Sequence, residues 1–237
     1  VNAFEGQRVL VVGGTSGVGL ATAAGFAAAG AAVTVVSRSQ QKIDEALKSL
    51  GDRAQGRTLD IRDDEEVERF LEAAGAFDHV VVSAGVTPTG RADTLPLDDA
   101  YAAMDSKFWG AYRISRKVSI RSGGSLTLVS GYLSVRPSRA SALQSAINAA
   151  LEALARGLAL EYAPIRVNAV SPGLIKSPLW DGLAEANRET MYEGAAQRLP
   201  VGRVGRPEDV AEAILYLAGN GYSTGTTVFV DGGGSIA

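Results

Sequence analysis

Gly13, Gly17 and Gly19 stand at the spacing G-x-x-x-G-x-G inside a charge-free stretch running from residue 9 to residue 37. What glycine offers chemically is its backbone. Without a Cβ the chain turns tightly and lets an anion approach its N–H groups. Apolar residues 9–12 read as a buried strand and alanine-rich residues 20–29 as a helix, with the glycines on the turn between them. A strand passing through such a turn into a helix leaves unpaired N–H groups and a positive dipole end facing outward, which suits a pyrophosphate. A dinucleotide is the leading ligand.

Other reactive side chains are scarce. The chain has no cysteine and one histidine, His79. That excludes disulfides, thiolate nucleophiles and zinc–sulfur sites, and argues against a His-rich metal site, so no metal is expected. A net charge of −3 and the lack of a basic stripe argue against a nucleic-acid partner. The glycines between residues 13 and 30 interrupt the apolar run well short of the ~20 residues a membrane-spanning helix needs. No charged segment precedes a hydrophobic core, so no secretory signal is expected and the expected location is cytoplasmic.

Stepping along the 237 residues, strand-like and helix-like runs alternate. Strands are expected at 9–12, 33–36, 57–59, 79–82, 126–129, 166–170 and 227–230. Helices are expected at 20–29, 42–50, 65–74, 98–122, 140–162 and 207–218. Strands buried between helices imply an α/β fold: a single-domain Rossmann fold over 1–237, with a doubly wound parallel sheet of about seven strands and helices on both faces. Ligand would then bind beyond the carboxyl ends of the strands. The stretch at about 174–206 holds Pro178 and Pro200 and reads as a substrate-side flap.

Several segments in order resemble the short-chain dehydrogenase/reductase family over essentially the full length. They are the glycine turn, Ser83-Ala84-Gly85, Ile165-Arg166-Val167-Asn168-Ala169-Val170-Ser171-Pro172-Gly173, the run from Gly202 to Ala211 with Arg206-Pro207-Glu208-Asp209, and Val230-Asp231-Gly232-Gly233. The resemblance implies a cofactor site made by Gly13, Thr15, Ser16, Gly17, Val18 and Gly19 at the pyrophosphate. Asp60 and Ile61 would lie at the adenine, Ser83, Ala84 and Gly85 along the cofactor, and Pro172, Gly173, Ile175 and Ser177 at the nicotinamide. At the end of the second strand stands Ser37-Arg38-Ser39 with no carboxylate. An acidic residue there would favour a free 2′-hydroxyl and a cation favours a 2′-phosphate, so the expected cofactor is NADP(H). The other reading of Arg38 is a surface arginine opening a loop.

The family reduces carbonyls with a Ser, a Tyr and a Lys, the last two spaced Tyr-x-x-x-Lys. Anchored on Ala149-Ala150-Leu151-Glu152-Ala153-Leu154, the lysine position is Asn148 and the tyrosine position Gln144. Gly131 takes the serine position with Ser130 just before it, and Lys107 stands where the family has a proton-relaying asparagine. No tyrosine of this chain has a lysine four residues on. Tyr132 with Arg136 imitates the spacing, but Pro137 follows and the segment reads as loop; Tyr132 alone could line the pocket. Lys107 could supply the missing charge or be a solvated helix lysine. Phe108 and Trp109 read as core or subunit packing, and Trp180, Met191 and Tyr192 as pocket wall or flap packing.

A missing acid costs ketone reduction about 10²–10⁴-fold. The chemistry expected is therefore hydride transfer to an imine, iminium or hemiaminal carbon, or to a carbonyl with water as acid, assisted by Ser130, Gln144, Asn148 or Lys107. A catalytically silent NADP(H)-binding protein is the alternative. The partner is a small-molecule substrate. The resemblance implies a homo-dimer or homo-tetramer through the alanine-rich helix at 140–163, whose small residues could equally pack within the chain.

Overall fold

The computed structural model describes residues 3–85 and 88–237. Seven parallel strands form one sheet in the order β3-β2-β1-β4-β5-β6-β7. They are β1 (Arg8–Val12), β2 (Ala32–Ser37), β3 (Ala54–Thr58), β4 (Phe77–Val82), β5 (Ile120–Val129), β6 (Arg166–Pro172) and β7 (Thr227–Val230). The order reverses between β1, which pairs with β2 on one side, and β4 on the other. Both neighbours are buried valine-rich strands, so the crevice at their carboxyl ends lies over a rigid base.

Apolar side chains alternate to the two faces and build two cores. One gathers Leu10, Val80, Leu126 and Val167 under α3 (Asp64–Ala74), α5 (Gly110–Lys117) and α6 (Ala142–Glu161). The other gathers Val9, Val11, Val33 and Val35 under α1 (Gly17–Ala28), α2 (Gln40–Leu50) and α8 (Pro207–Gly219). Each such side chain removed from water contributes about 1.5–3 kcal/mol before chain entropy is set against it. Residues 174–206 hold α7 (Glu185–Ala196) and pack on a small cluster of their own around Tyr192, Ala195 and Val204.

Local chemistry sets the boundaries. Ser39 accepts from Lys42 N at 3.3 Å to cap α2, and Asp63 accepts from Glu66 N at 2.9 Å to cap α3. Both helices end on glycines at positive φ, Gly51 and Gly75. The third strand spans 54–58, not 57–59. It is an edge strand with little apolar content, and a Cβ at Gly56 would lie 2.0 Å from Ile43, so α2 packs on bare backbone there. The helix expected over 98–122 is α4 (Leu97–Ala103), a π-helical turn (Met104–Trp109) and α5. It stops at Lys117, because Ile120 already pairs with Phe77 in the sheet. Among the described residues no helix is long and apolar enough to cross a membrane.

Candidate active site

A cleft of about 1150 Å³ opens along the carboxyl ends of the central strands. At one end the turn after β1 supplies Gly13, Thr15, Ser16, Gly17 and Val18. Gly13 and Gly17 take positive φ, and a Cβ at Gly13 would sit 2.7 Å from Ala84 N. The backbone there has no room for a side chain. Ser16 makes no side-chain cap, and the first turn of α1 holds no carboxylate. The N–H groups and the positive dipole end are left for an anion, which fits a pyrophosphate.

Gly19 does not line the cleft. Its Cβ would lie 2.1 Å from Gly13 O, so its place is to let α1 close on the turn. Ser39 is likewise outside the lining, spent on capping α2, while Ser37 and Arg38 beside it do face the cleft. Asp60 and Ile61 line the same end, as do Lys42 and Arg62, which sequence reasoning missed. Arg62 grips the Asp60 carboxylate through bonds of 2.6–3.2 Å. That hydrogen bonding, with the charges of Arg62 and Arg38, lowers the Asp60 pKa against an opposing burial effect.

At the other end Ser83, Ala84 and Gly85 leave β4, and Pro172, Gly173, Ile175 and Ser177 leave β6, all along the cleft. Gly17 faces Ser177, whose Cβ would be 3.3 Å from an added Cβ, so the glycine turn and the start of the flap meet. Trp180 and Met191 line the wall, with Trp180 anchored through Nε1 to Ile175 O at 3.0 Å. Tyr192 is buried in the flap's own cluster, Phe108 packs on the core, and Trp109 stands against Tyr112, so none of the three reaches the cleft.

The four candidate catalytic residues converge. Ser130 follows β5, Gln144 and Asn148 lie one turn apart on α6, Lys107 projects from the π-helical turn, and all four line the cleft. Tyr132 lines it too, from a single 3₁₀ turn (Tyr132–Ser134) rather than a helix shared with Arg136. Lys107 Nζ donates to Asn148 Oδ1 at 2.7 Å and to Ser130 O at 2.9 Å. The close approach of its stem needs Gly85, where a Cβ would lie 2.8 Å from Lys107 Cβ. Burial pulls the Lys107 pKa down to about 8, and the negative charge of Glu152 works against that fall. An ammonium has three donors, so one N–H remains for a group in the cleft.

Glu152 escaped the sequence reading. It is 6 % exposed, one turn beyond Asn148 on α6, and its Oε1 accepts from three hydroxyls: Ser130 at 2.9 Å, Ser134 at 2.7 Å and Ser171 at 3.1 Å. An acid inside an alanine- and leucine-rich helix, four residues from Asn148, was the available signal. Among the described residues no group of three His, Cys, Asp or Glu could hold a metal.

The family model described as Enoyl-(Acyl carrier protein) reductase matches residues 12–235. The chain is similar to the short-chain dehydrogenase/reductase ATR9 of Stachybotrys chlorohalonatus (strain IBT 40285), at 34% identity over 97% of each chain. It is similar to a solved small-chain dehydrogenase in complex with NADPH, at 36% identity and a TM-score of 0.81, covering 98% of this chain and 99% of that one. It also superposes on the MalC Reductase/Diels-Alderase from Malbranchea aurantiaca, at 28% identity and a TM-score of 0.89, covering 98% and 97%. With the sheet order, the glycine turn and the cleft agreeing over this length, the chain belongs to the short-chain dehydrogenase/reductase family.

Proposed function

We propose that this chain is an NADPH-dependent oxidoreductase with a non-standard active site, acting on the carbon of an imine or hemiaminal. The observation that carries the reading is the 2.7 Å bond between Lys107 Nζ and Asn148 Oδ1 in the cleft. The family's lysine and asparagine positions have exchanged residue types, so the site keeps one cation, entering from the other helix. Tyr132 is the one tyrosine among the described lining residues, and it lies outside α6. When bound, a reduced nicotinamide supplies the hydride. Arg38 at the end of β2, and similarity to a dehydrogenase solved with NADPH, support the 2′-phosphorylated form.

The residues present suit a nitrogen electrophile better than a ketone. A group titrating near 8 donates a proton readily to an imine nitrogen or to the leaving hydroxyl of a hemiaminal, directly or through one water. Donation leaves Lys107 neutral, and solvent returns the proton. A substrate arriving as a permanent iminium would meet the ammonium charge, so the neutral precursors are favoured. Gln144 donates or accepts hydrogen bonds without changing charge, which suits orientation of the substrate. In the same reading residues 174–206 close over the substrate, with Leu174, Leu179, Trp180, Met191 and Leu199 giving it an apolar wall. Exposed Trp109, Tyr112 and Leu160 on the α5 and α6 side would be covered in a homo-dimer or homo-tetramer.

The test is NADPH consumption with 2-methyl-1-pyrroline against cyclohexanone. Turnover of the cyclic imine in clear excess over the ketone is expected. Ready turnover of the ketone with none of the imine overturns the reading. Tight NADPH binding by calorimetry with no turnover across a wide imine and carbonyl panel would establish the silent-binder alternative instead.

A further inference from the structure

A carboxylate buried beneath this cleft takes no part in the chemistry above. Glu152 has no basic partner bonded to it among the described residues. A charge so placed is costly unless hydrogen bonds and a counter-charge compensate it. The hydrogen bonds come from three separate elements: Ser130 at the end of β5, Ser134 in the turn behind Tyr132, and Ser171 in β6. The nearest route to a cation runs through Ser130, whose hydroxyl donates to Glu152 while its carbonyl accepts from Lys107.

Asn148, which takes the other Lys107 bond, lies four residues before Glu152 on the same face of α6. We propose that Glu152 is a positioning residue for Lys107: its carboxylate, clamped by three serine hydroxyls, is the counter-charge that keeps the Lys107 ammonium protonated at the floor of the cleft. The proposal rests on the reading of Lys107 as the site's cation. It assigns the serine cluster a function: one carboxylate oxygen ties together the ends of β5 and β6, the two strands that lead into the substrate half of the site.

The surroundings of Lys107 leave few competitors. The ends of β4 and β5 bring Ser83, Ala84, Gly85, Ser130 and Gly131, none ionisable in this range. Its own helical segment brings Asp105, held by Arg113 at 2.7 Å. Tyr132 lines the same cleft, and α6, packed against the π-helical turn, brings Glu152.

The test reads Lys107 directly and needs neither substrate nor cofactor. The chain has five lysines, so Cε-labelled protein gives a sparse NMR spectrum in which Lys107 is identified by its loss in K107M. Glu152→Gln keeps an acceptor oxygen for the serines and removes the charge. The Lys107 midpoint is expected to fall by about one pH unit, in line with losing a nearby opposite charge. Glu152→Asp keeps the charge on a shorter arm, so it should loosen the clamp and lower Tm while leaving the midpoint closer to wild type. An unchanged midpoint in E152Q overturns the proposal. Should E152Q fail to fold, carboxyl-labelled wild-type protein still decides it. The Glu152 signal must show an inflection at the Lys107 midpoint that K107M abolishes, and its absence sinks the idea. Either result stands whether or not an imine is ever reduced.

Discussion

Gly131 faces Asn148 so closely that a Cβ on residue 131 would lie 2.9 Å from Asn148 Nδ2. The φ of Gly131 is 163°, an extended backbone that any residue adopts, so the constraint is contact and not strain. The missing side chain is what lets Asn148 reach Lys107. Gly131→Ala should therefore fold with little change in Tm, because the carboxamide can swing away. Swinging away costs the Lys107–Asn148 bond, and a hydrogen bond to a charged group is worth about 1.5–3 kcal/mol. Imine turnover should fall about 10- to 100-fold, as kcat/KM measured at pH 7. Full activity in G131A would show that the bond is dispensable.

The rate should depend on pH through Lys107. Its proton is held below a pKa of about 8 and lost above it, so reduction is fastest on the acid side and declines as pH rises through 8. Lys107→Met should lower kcat by about 10²–10⁴-fold, the usual contribution of a positioned acid, and flatten the limb above pH 8. A pH–rate profile of K107M that keeps the wild-type limb would assign that titration to another group.

Cofactor preference should follow Arg38. The residue is exposed and makes no ion pair among the described residues, so replacing it leaves the core untouched. Arg38→Gln is expected to weaken NADPH binding about 10- to 100-fold, the worth of one charge-assisted bond to phosphate, with NADH binding unchanged. Isothermal titration of both nucleotides checks this. Equal losses for the two would move the 2′-phosphate contact to Lys42 or Arg62, which line the same end.

The sequence made some of this legible and hid the rest, for physical reasons. Strands β1 and β4 are buried on both faces, so composition alone marks them, and the glycine turn between β1 and α1 is set by backbone sterics that no other residue type satisfies. Strand β3 is mostly polar and owes its place to pairing with β2 and to the bare surface at Gly56, neither of which leaves an apolar pattern. The break of the long helix near Lys117 depends on Phe77 claiming Ile120, a contact across more than 40 residues.

At the site, spacing brought Gln144 and Asn148 to one helix face, but only packing brings Lys107 and Ser130 to them. Glu152 was hidden because its partners come from three elements distant in sequence. Gly19 sits within the glycine pattern yet packs against Gly13 O instead of lining the cleft, since spacing does not tell a lining position from a packing one.

His79 gives a stability test independent of the site. Its Nε2 donates to Gln7 Oε1 at 2.7 Å and its Nδ1 accepts from Ser125 at 2.8 Å, and its ring packs against those of Phe4 and Phe26. Burial, reinforced by the positive charge of Arg166, lowers its pKa from 6.5 to about 4. The folded chain thus keeps His79 neutral where the unfolded chain protonates it. Stability is fully present above pH 6.5, falls as pH drops from 6.5 toward 4, and loses nothing further from this group below that. The whole effect is at most about 3 kcal/mol. His79→Gln keeps one donor and one acceptor but cannot titrate. Urea unfolding of the two proteins between pH 7.5 and 4 should show wild type losing its advantage over H79Q across that window, whereas parallel curves would show that the folded chain protonates His79 as easily as the unfolded one.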